Sequence, residues 1–372
     1  MAQRKRKRAN GEGTIVETKS GRIYAVISLP DGKRKWVRAA SRTEASQKLK
    51  TLTTQRDQGV NLRAGRQTID VFLSVYLADV VAPAVKPKTY DNYKDLIELC
   101  ILPELEGELL ERLEPQAIQQ WYNEARGDFA ETTARNALNL LKRALDTAVQ
   151  WRYLPYNPAA PVKAVRLSRT KPPLLTLAEV SALLEAVAAH RLGLLYLLTA
   201  RYGTRKGEIL GARWAALDWA RGELRIDQQI QTIGGKTGPC SVKTSASART
   251  LTLTPDLVAR LRLHWERLQV ERQHPDWREH GLIFPSEVGT PILPRNLSRH
   301  FYAARDRAGL RQDMRFHDLR HFAVTQLLES GVRPEVVAAI AGHSSVSVTL
   351  NVYAHVSEEE KRAAAEKMRK VG

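Results

Sequence analysis

The stretch Met314–Val324, MRFHDLRHFAV, sets His317, Arg320 and His321 within five positions. His317 and His321 have the i, i+4 spacing of a zinc-binding helix. Asp318, however, stands where H-E-x-x-H carries its general base, and Arg320 would place a fixed positive charge beside any cation. With no third ligand at recognisable spacing, no metal is expected. The same residues suit an anion. Arg320 offers a planar fork of donors matched to phosphate oxygens, and His317 lies one helical turn earlier, able to hydrogen-bond or exchange a proton there.

Two neighbouring stretches strengthen the anion reading. Upstream, YGTRKGEILGARW carries Arg205 and Glu208; downstream, AGHSSVSVTLNVYAHV carries His343 and, ten residues later, Tyr353. Between them SVKTSASART carries Lys243. In order and spacing, Arg205, Lys243, His317, Arg320, His343 and Tyr353 closely resemble the signature of the tyrosine recombinases, the phage-integrase family. The resemblance covers about residues 171–372. Two departures from the usual pattern, Ala341 before Gly342 and Arg201-Tyr202 before Gly203, touch none of those six positions.

The resemblance implies a DNA breaking–rejoining enzyme fold and a reaction without cofactor, metal or ATP. Tyr353 would be the nucleophile, forming a 3′-phosphotyrosyl bond that stores the energy of the broken phosphodiester. Arg205 and Arg320 would clamp the charge that develops on the non-bridging oxygens. His317 would assist Tyr353 as acid or base and His343 would donate to a phosphate oxygen. A lysine on a hairpin would protonate the leaving 5′-oxygen; Lys243 is the candidate and Lys236 in GGKTGPCSVKT the alternative. Glu208, three residues after Arg205, either orients a neighbouring cation or forms an ordinary exposed ion pair. His321 and His355 are read as structural support, and Trp214 and Trp219 as core.

These residues need elements to hold them. A chain of 372 residues is long enough for two or three domains. Residues 1–65 hold 16 Lys/Arg against 5 Asp/Glu, a large part of the total +18. There GTIVE, RIYAVISL and RKWVRA read as three strands, with a turn at Pro30-Asp31-Gly32, and Ser41 with Glu44 opens a helix reaching about Gly59. This is a basic module for arm-type DNA sites, with Arg4, Lys5, Arg6, Lys7 and Arg8 as a tail along phosphates and Lys33, Arg34 and Lys35 on the sheet. Residues 66–165 carry apolar positions at three- and four-residue intervals and form an all-α domain for core-type sites. Arg135, Lys142 and Arg143 on its last helix are candidate phosphate contacts. Residues 166–175 are a linker, and residues 176–372 an α-rich catalytic domain with a small antiparallel sheet of three strands, GELRID, PCSVKT and ARTLTLT.

The charge balance and a pI of about 10 fit a polyanionic partner, because each neutralised phosphate releases condensed counterions. Cys100 and Cys240 lack C-x-x-C spacing, which argues against a disulfide scaffold or a cysteine metal site. The basic start has no apolar segment behind it and no run of 18 apolar residues follows, so a cytoplasmic protein is expected. The resulting expectation is a site-specific integrase of a phage or other mobile element. It would act as a homotetramer on double-stranded DNA, with a DNA-bending host factor and an excisionase as further partners. A type IB topoisomerase-like relaxing enzyme and a chromosome-dimer-resolving recombinase remain the alternatives.

Overall fold

The computed structural model describes residues 13–18, 20–29, 34–57, 67–165, 174–242 and 247–353; for Gln55 and residues 351–353 only the backbone is described. The chain divides into two compact units, Met1–Arg169 and Thr170–Gly372.

In the first unit, β1 (Thr14–Glu17), β2 (Ile23–Ser28) and β3 (Arg34–Ala39) form an antiparallel sheet in that order. Helix α1 (Arg42–Asp57) covers one face. Its first turn is tied by Glu44 N–H to Ser41 Oγ at 3.1 Å and by Ala40 N–H to the Glu44 carboxylate at 2.6 Å, as the Ser-x-x-Glu spacing predicts. Strand alternation puts Ala25, Ile27, Val37 and Ala39 against Leu49 and Leu52. The opposite face carries Arg34, Trp36 and Arg38. Trp36 is 51% exposed, with Tyr24 edge-on at 5.9 Å. Lys35 is therefore misassigned by its neighbourhood in sequence: it pairs with buried Ile27 in register and lies on the helix side, whereas Arg38 belongs with Arg34.

A second core of the same unit is all helical. Helix α2 (Ile69–Tyr76) runs through a π turn (Leu77–Val81) into α3 (Ala82–Ala84). Likewise α4 (Pro87–Leu96) passes through Ile97–Ile101 into α5 (Leu102–Leu105), and α6 (Pro115–Asp128) and α7 (Glu131–Gln150) follow. Ala134, Ala137, Leu138, Leu141, Ala144, Leu145 and Ala148 form the fully buried stripe of α7. The small residues let α7 sit close to its neighbours. The three basic candidates on α7 differ. Lys142 Nζ donates to the carbonyl of Val162 at 2.7 Å, anchoring the chain that leaves the domain, so the charge expected to meet phosphate is already engaged. The Arg143 guanidinium lies over the Tyr93 ring at 5.0 Å, and Arg135 is half-buried.

In the second unit, α8 (Leu177–Ala186) starts at a capping box formed by Thr176 and Glu179, a Thr-x-x-Glu spacing. There follow α9 (Gly193–Tyr202), the short α10 (Lys206–Leu210), β4 (Leu217–Asp218), β5 (Glu223–Ile226), β6 (Gln228–Ile233), β7 (Lys236–Ser241) and β8 (Arg249–Thr252). The sheet reading needs correction. GELRID and ARTLTLT do pair, with β4 on the far edge of β5. Among the described residues PCSVKT does not join them: its first half ends β7, which pairs with β6, a strand not foreseen. Helices α11 (Pro255–Glu271), α12 (Pro294–Arg307), α13 (Asp318–Glu329), α14 (Pro334–Ala341) and α15 (Val346–Tyr353) complete the unit. Its core includes Tyr196, Phe284, Phe301, Met314 and Leu319, and Trp214 stacks on Trp219 at 5.8 Å as core aromatics. No helix among the described residues is long and apolar enough to cross a membrane.

Candidate active site

In MRFHDLRHFAV the apolar residues set the geometry. Met314, Phe316, Leu319 and Phe322 are buried in the core and fix the backbone that carries His317 and Arg320. His317 stands just before the first turn of α13, its side chain making no capping hydrogen bond, and keeps an exposed edge, while Arg320, in the first turn, is only 3% exposed. The His321 ring meets His317 edge-on at 5.0 Å.

Buried guanidiniums need acceptors, and two helix ends supply them. Helix α9 closes on Gly203 and α14 on Gly342, both left-handed, with φ of 62° and 72°. Arg320 Nη1 donates to the carbonyls of Gly203 and Ala341, each at 2.6 Å. Arg205 Nη2 donates to the carbonyl of Gly342 at 2.7 Å. The two arginines are thus held on adjacent peptide units, at the negative end of the α14 dipole. It is the Ala341 carbonyl that serves, which is why the small side chain there is no obstacle. Arg320 Nη2 is buried and finds no hydrogen-bond partner among the described residues.

Arg205 stands before the first turn of α10, and Glu208 in that turn returns one carboxylate oxygen to the Arg205 backbone N–H at 3.0 Å and the other to Nη1 at 2.6 Å. The ordinary exposed ion pair considered for Glu208 is excluded: its side chain is 2% exposed. Burial raises the Glu208 pKa, but Arg249 and Arg205 outweigh it and hold the carboxyl below its usual range. Arg249 is a member of the cluster that the sequence reading missed. From β8 its Nη2 reaches Glu208 at 3.0 Å, with the side chain 6% exposed. One carboxylate therefore pairs with two guanidiniums, while a third, Arg320, has no carboxylate within hydrogen-bond reach among the described residues.

That excess of positive charge acts on both histidines. Loss of water around the ring, then the charges of its neighbours including Arg320 and Arg205, pushes His317 down to about 4. The same causes push His343 down to about 4. Both imidazoles are therefore neutral at pH 7. Burial, then Arg205, pushes Arg320 down to about 9, still charged at neutral pH. His343 Nδ1 pairs with the hydroxyl of fully buried Thr349 at 2.7 Å. Thr349 lies one turn before Tyr353 on α15, which packs on α13 and α14. The backbone of α15 thus runs from the Thr349 that holds His343 to residue 353, one turn further on.

Of the sequence-derived residues, the structure brings together Arg205, Glu208, His317, Arg320 and His343. Lys243, like Arg4, Lys5, Arg6, Lys7, Arg8, Lys33, the Pro30-Asp31-Gly32 turn and His355, lies outside the described residues. Lys236 is exposed at the start of β7, beside the Gly234-Gly235 turn.

Gly342 offers a direct probe of this arrangement. A Cβ there would come within 2.7 Å of Arg249 Nη1, and its φ disfavours any L side chain. Gly342→Ala is expected to destabilise the protein by about 1–3 kcal/mol, the range for such strain, read by urea denaturation. Gly331→Ala, also at positive φ but with open space around it, should show the strain without loss of DNA cleavage.

Comparison with known proteins agrees with this geometry. The pattern of the phage integrase family matches residues 173–360, and that of the phage integrase N-terminal SAM-like domain matches residues 68–126. A tyrosine recombinase XerC-like protein of Caldanaerobacter subterraneus subsp. tengcongensis is 29% identical over 377 residues, covering 94% of this chain and 96% of the relative. The Tn1549 transposon integrase, solved in complex with transposon right end DNA, superposes with a TM-score of 0.67 at 19% identity, over 82% of this chain and 100% of that one. The lambda integrase tetramer bound to a Holliday junction superposes at 0.59 and 19% identity, over 93% and 96% of the two chains. With the family pattern spanning half the sequence, the chain belongs to the phage integrase family, enzymes that recombine DNA site-specifically by breaking and rejoining its strands.

Proposed function

We propose that the protein integrates and excises a phage or other mobile element, with Tyr353 as nucleophile and Arg205 and Arg320 as the clamp on the scissile phosphate. The observation that carries this reading is the pair of guanidiniums seated on the adjacent Ala341 and Gly342 carbonyls, with one Arg320 donor left unsatisfied. A phosphodiester in this position supplies the missing acceptor and the missing negative charge. As it enters, the histidine pKa values rise from about 4 toward neutrality. His317 then becomes competent to exchange a proton with the Tyr353 phenol, and His343 to hydrogen-bond a non-bridging oxygen.

Phenolate attack at phosphorus forms the 3′-phosphotyrosyl bond and releases the 5′-oxygen, which takes its proton from Lys243 or Lys236. The reverse attack by a 5′-hydroxyl restores the DNA and the tyrosine without ATP. Two arginines do here what a metal does in many phosphoryl-transfer sites. The active assembly is a homotetramer on core-type sites, in line with the lambda integrase tetramer. A DNA-bending host factor and an excisionase govern direction, and the protein works in the cytoplasm on the chromosome.

The exposed face of Arg34, Trp36 and Arg38, together with the basic N-terminus, supports a second, arm-type contact to duplex DNA. The test is covalent capture of wild-type protein on nicked duplexes selected from a random-sequence library, in EDTA. An adduct resistant to denaturation is expected; none in EDTA would overturn metal-free chemistry. Relaxation of plasmids lacking any selected sequence would instead favour the topoisomerase-like alternative. Deleting residues 1–65 is expected to abolish a second, salt-sensitive binding site while sparing the core site. A DNA footprint unchanged by that deletion would remove the arm assignment and favour a chromosome-dimer-resolving role.

A further inference from the structure

Arg249 is too deeply buried to meet DNA, yet it touches the carboxylate and the turn that hold Arg205. From the first residue of β8 its Nη2 pairs with Glu208 at 3.0 Å and its Nε donates to the Ile340 carbonyl at 2.6 Å. Its Nη1 donates to the Ser247 carbonyl at 3.1 Å, and the guanidinium lies against Gly342, where only a missing side chain leaves room. Glu208 in turn holds both the backbone and the side chain of Arg205. Gly342 presents the carbonyl that seats Arg205, and His343 follows it directly.

We propose that Arg249 is a positioning residue for DNA cleavage: it locks the Glu208–Arg205 pair and the Gly342–His343 turn into one register, so that both phosphate donors are aimed before DNA arrives. Three features single it out. A guanidinium has enough donors in one plane to join a carboxylate on one side to carbonyls on two others, which an ammonium cannot do. The three elements it joins, α10, β8 and the end of α14, are far apart in sequence. Without Arg249, buried Glu208 keeps only Arg205 as a cationic partner and draws that guanidinium away from the Gly342 carbonyl.

This inference rests on the proposed role of Arg205 and His343, and the experiment separates the two. Wild-type protein is first required to form the covalent adduct on the selected nicked duplexes; if it does not, the proposed function fails and not this inference. Arg249→Gln and Arg249→Lys are then compared with wild type in single-turnover cleavage and in equilibrium DNA binding. The expected result is about a 100-fold slower cleavage, the scale of an ångström's misplacement of a reacting group, with affinity unchanged within about twofold. Arg249→Lys, which keeps the charge beside Glu208, carries the test if Arg249→Gln does not fold.

A second readout distinguishes aim from mere support of the fold. On duplexes with a methylphosphonate at the scissile position, one non-bridging oxygen and its charge are gone and a well-aimed clamp matters less. The gap between variant and wild type is expected to shrink to a few-fold there. Cleavage by both variants within threefold of wild type would overturn the proposal, as would an equally large gap on phosphate and methylphosphonate.

Discussion

Tyr353→Phe is expected to yield no covalent protein–DNA adduct, read as the absence of a shifted band on a denaturing gel after hours with the nicked substrate. The substitution removes one oxygen atom. No other group is proposed to attack phosphorus, so the loss is complete and not a matter of degree. Binding to the same duplex should be unchanged, because the phosphate contacts come from the arginines and histidines. Residue 353 stands at the end of α15, one turn beyond the Thr349 that pairs with His343, and this placement supports Tyr353 as the proposed nucleophile. A persistent adduct in the variant would mean that another side chain is the nucleophile, and the assignment of Tyr353 would fall.

Arg320→Ala is expected to slow cleavage by about 10²–10³, the range seen when one preorganised oxyanion donor is removed. Affinity should move far less, since one phosphate contact among many changes the salt slope by only about one unit. Two opposing effects bear on folding. The variant leaves the Gly203 and Ala341 carbonyls without their donor, which costs stability, and it removes a buried cation repelled by Arg205, which restores some. A separate signature follows from electrostatics. Arg320 is among the charges that depress both His317 and His343, so its loss should raise both histidine titrations from about 4 toward 6.5. Ring-proton NMR against pH reads this directly; unmoved titrations would show that the arginine does not face the two imidazoles.

Much of the cluster was legible because three short stretches, YGTRKGEILGARW, MRFHDLRHFAV and AGHSSVSVTLNVYAHV, together resemble one family signature. In MRFHDLRHFAV the His317-to-Arg320 spacing was readable, while the burial of Met314, Phe316 and Leu319 beside them is seen only in the fold. The Thr176 and Ser41 caps were legible because both halves of the signal lie within one turn. Arg249 was not. An arginine on a polar strand gives no local sign of burial, and its partners Glu208 and Ile340 are supplied only by the tertiary fold. Strand β6, QQIQTI, was missed because glutamines dominate it, although Gly234-Gly235 marked the two-residue turn to β7. Lys35 failed for a different reason: a cluster of basic residues was treated as one patch, while strand alternation splits it between two faces. Lys142 carried a charge whose acceptors, the Ala160 and Val162 carbonyls, lie beyond the end of its own helix.

The left-handed ends of α9 and α14 bear on how such an enzyme tolerates change. Gly203 and Gly342 contribute no functional group, yet their backbone geometry exposes the carbonyls that seat the arginines. A mutational scan scored by recombination would therefore flag these two glycines beside the arginines and the tyrosine. A scan scored by DNA binding would pass over them. Part of the catalytic apparatus is thus written in backbone conformation, where inspection of side-chain chemistry does not look for it.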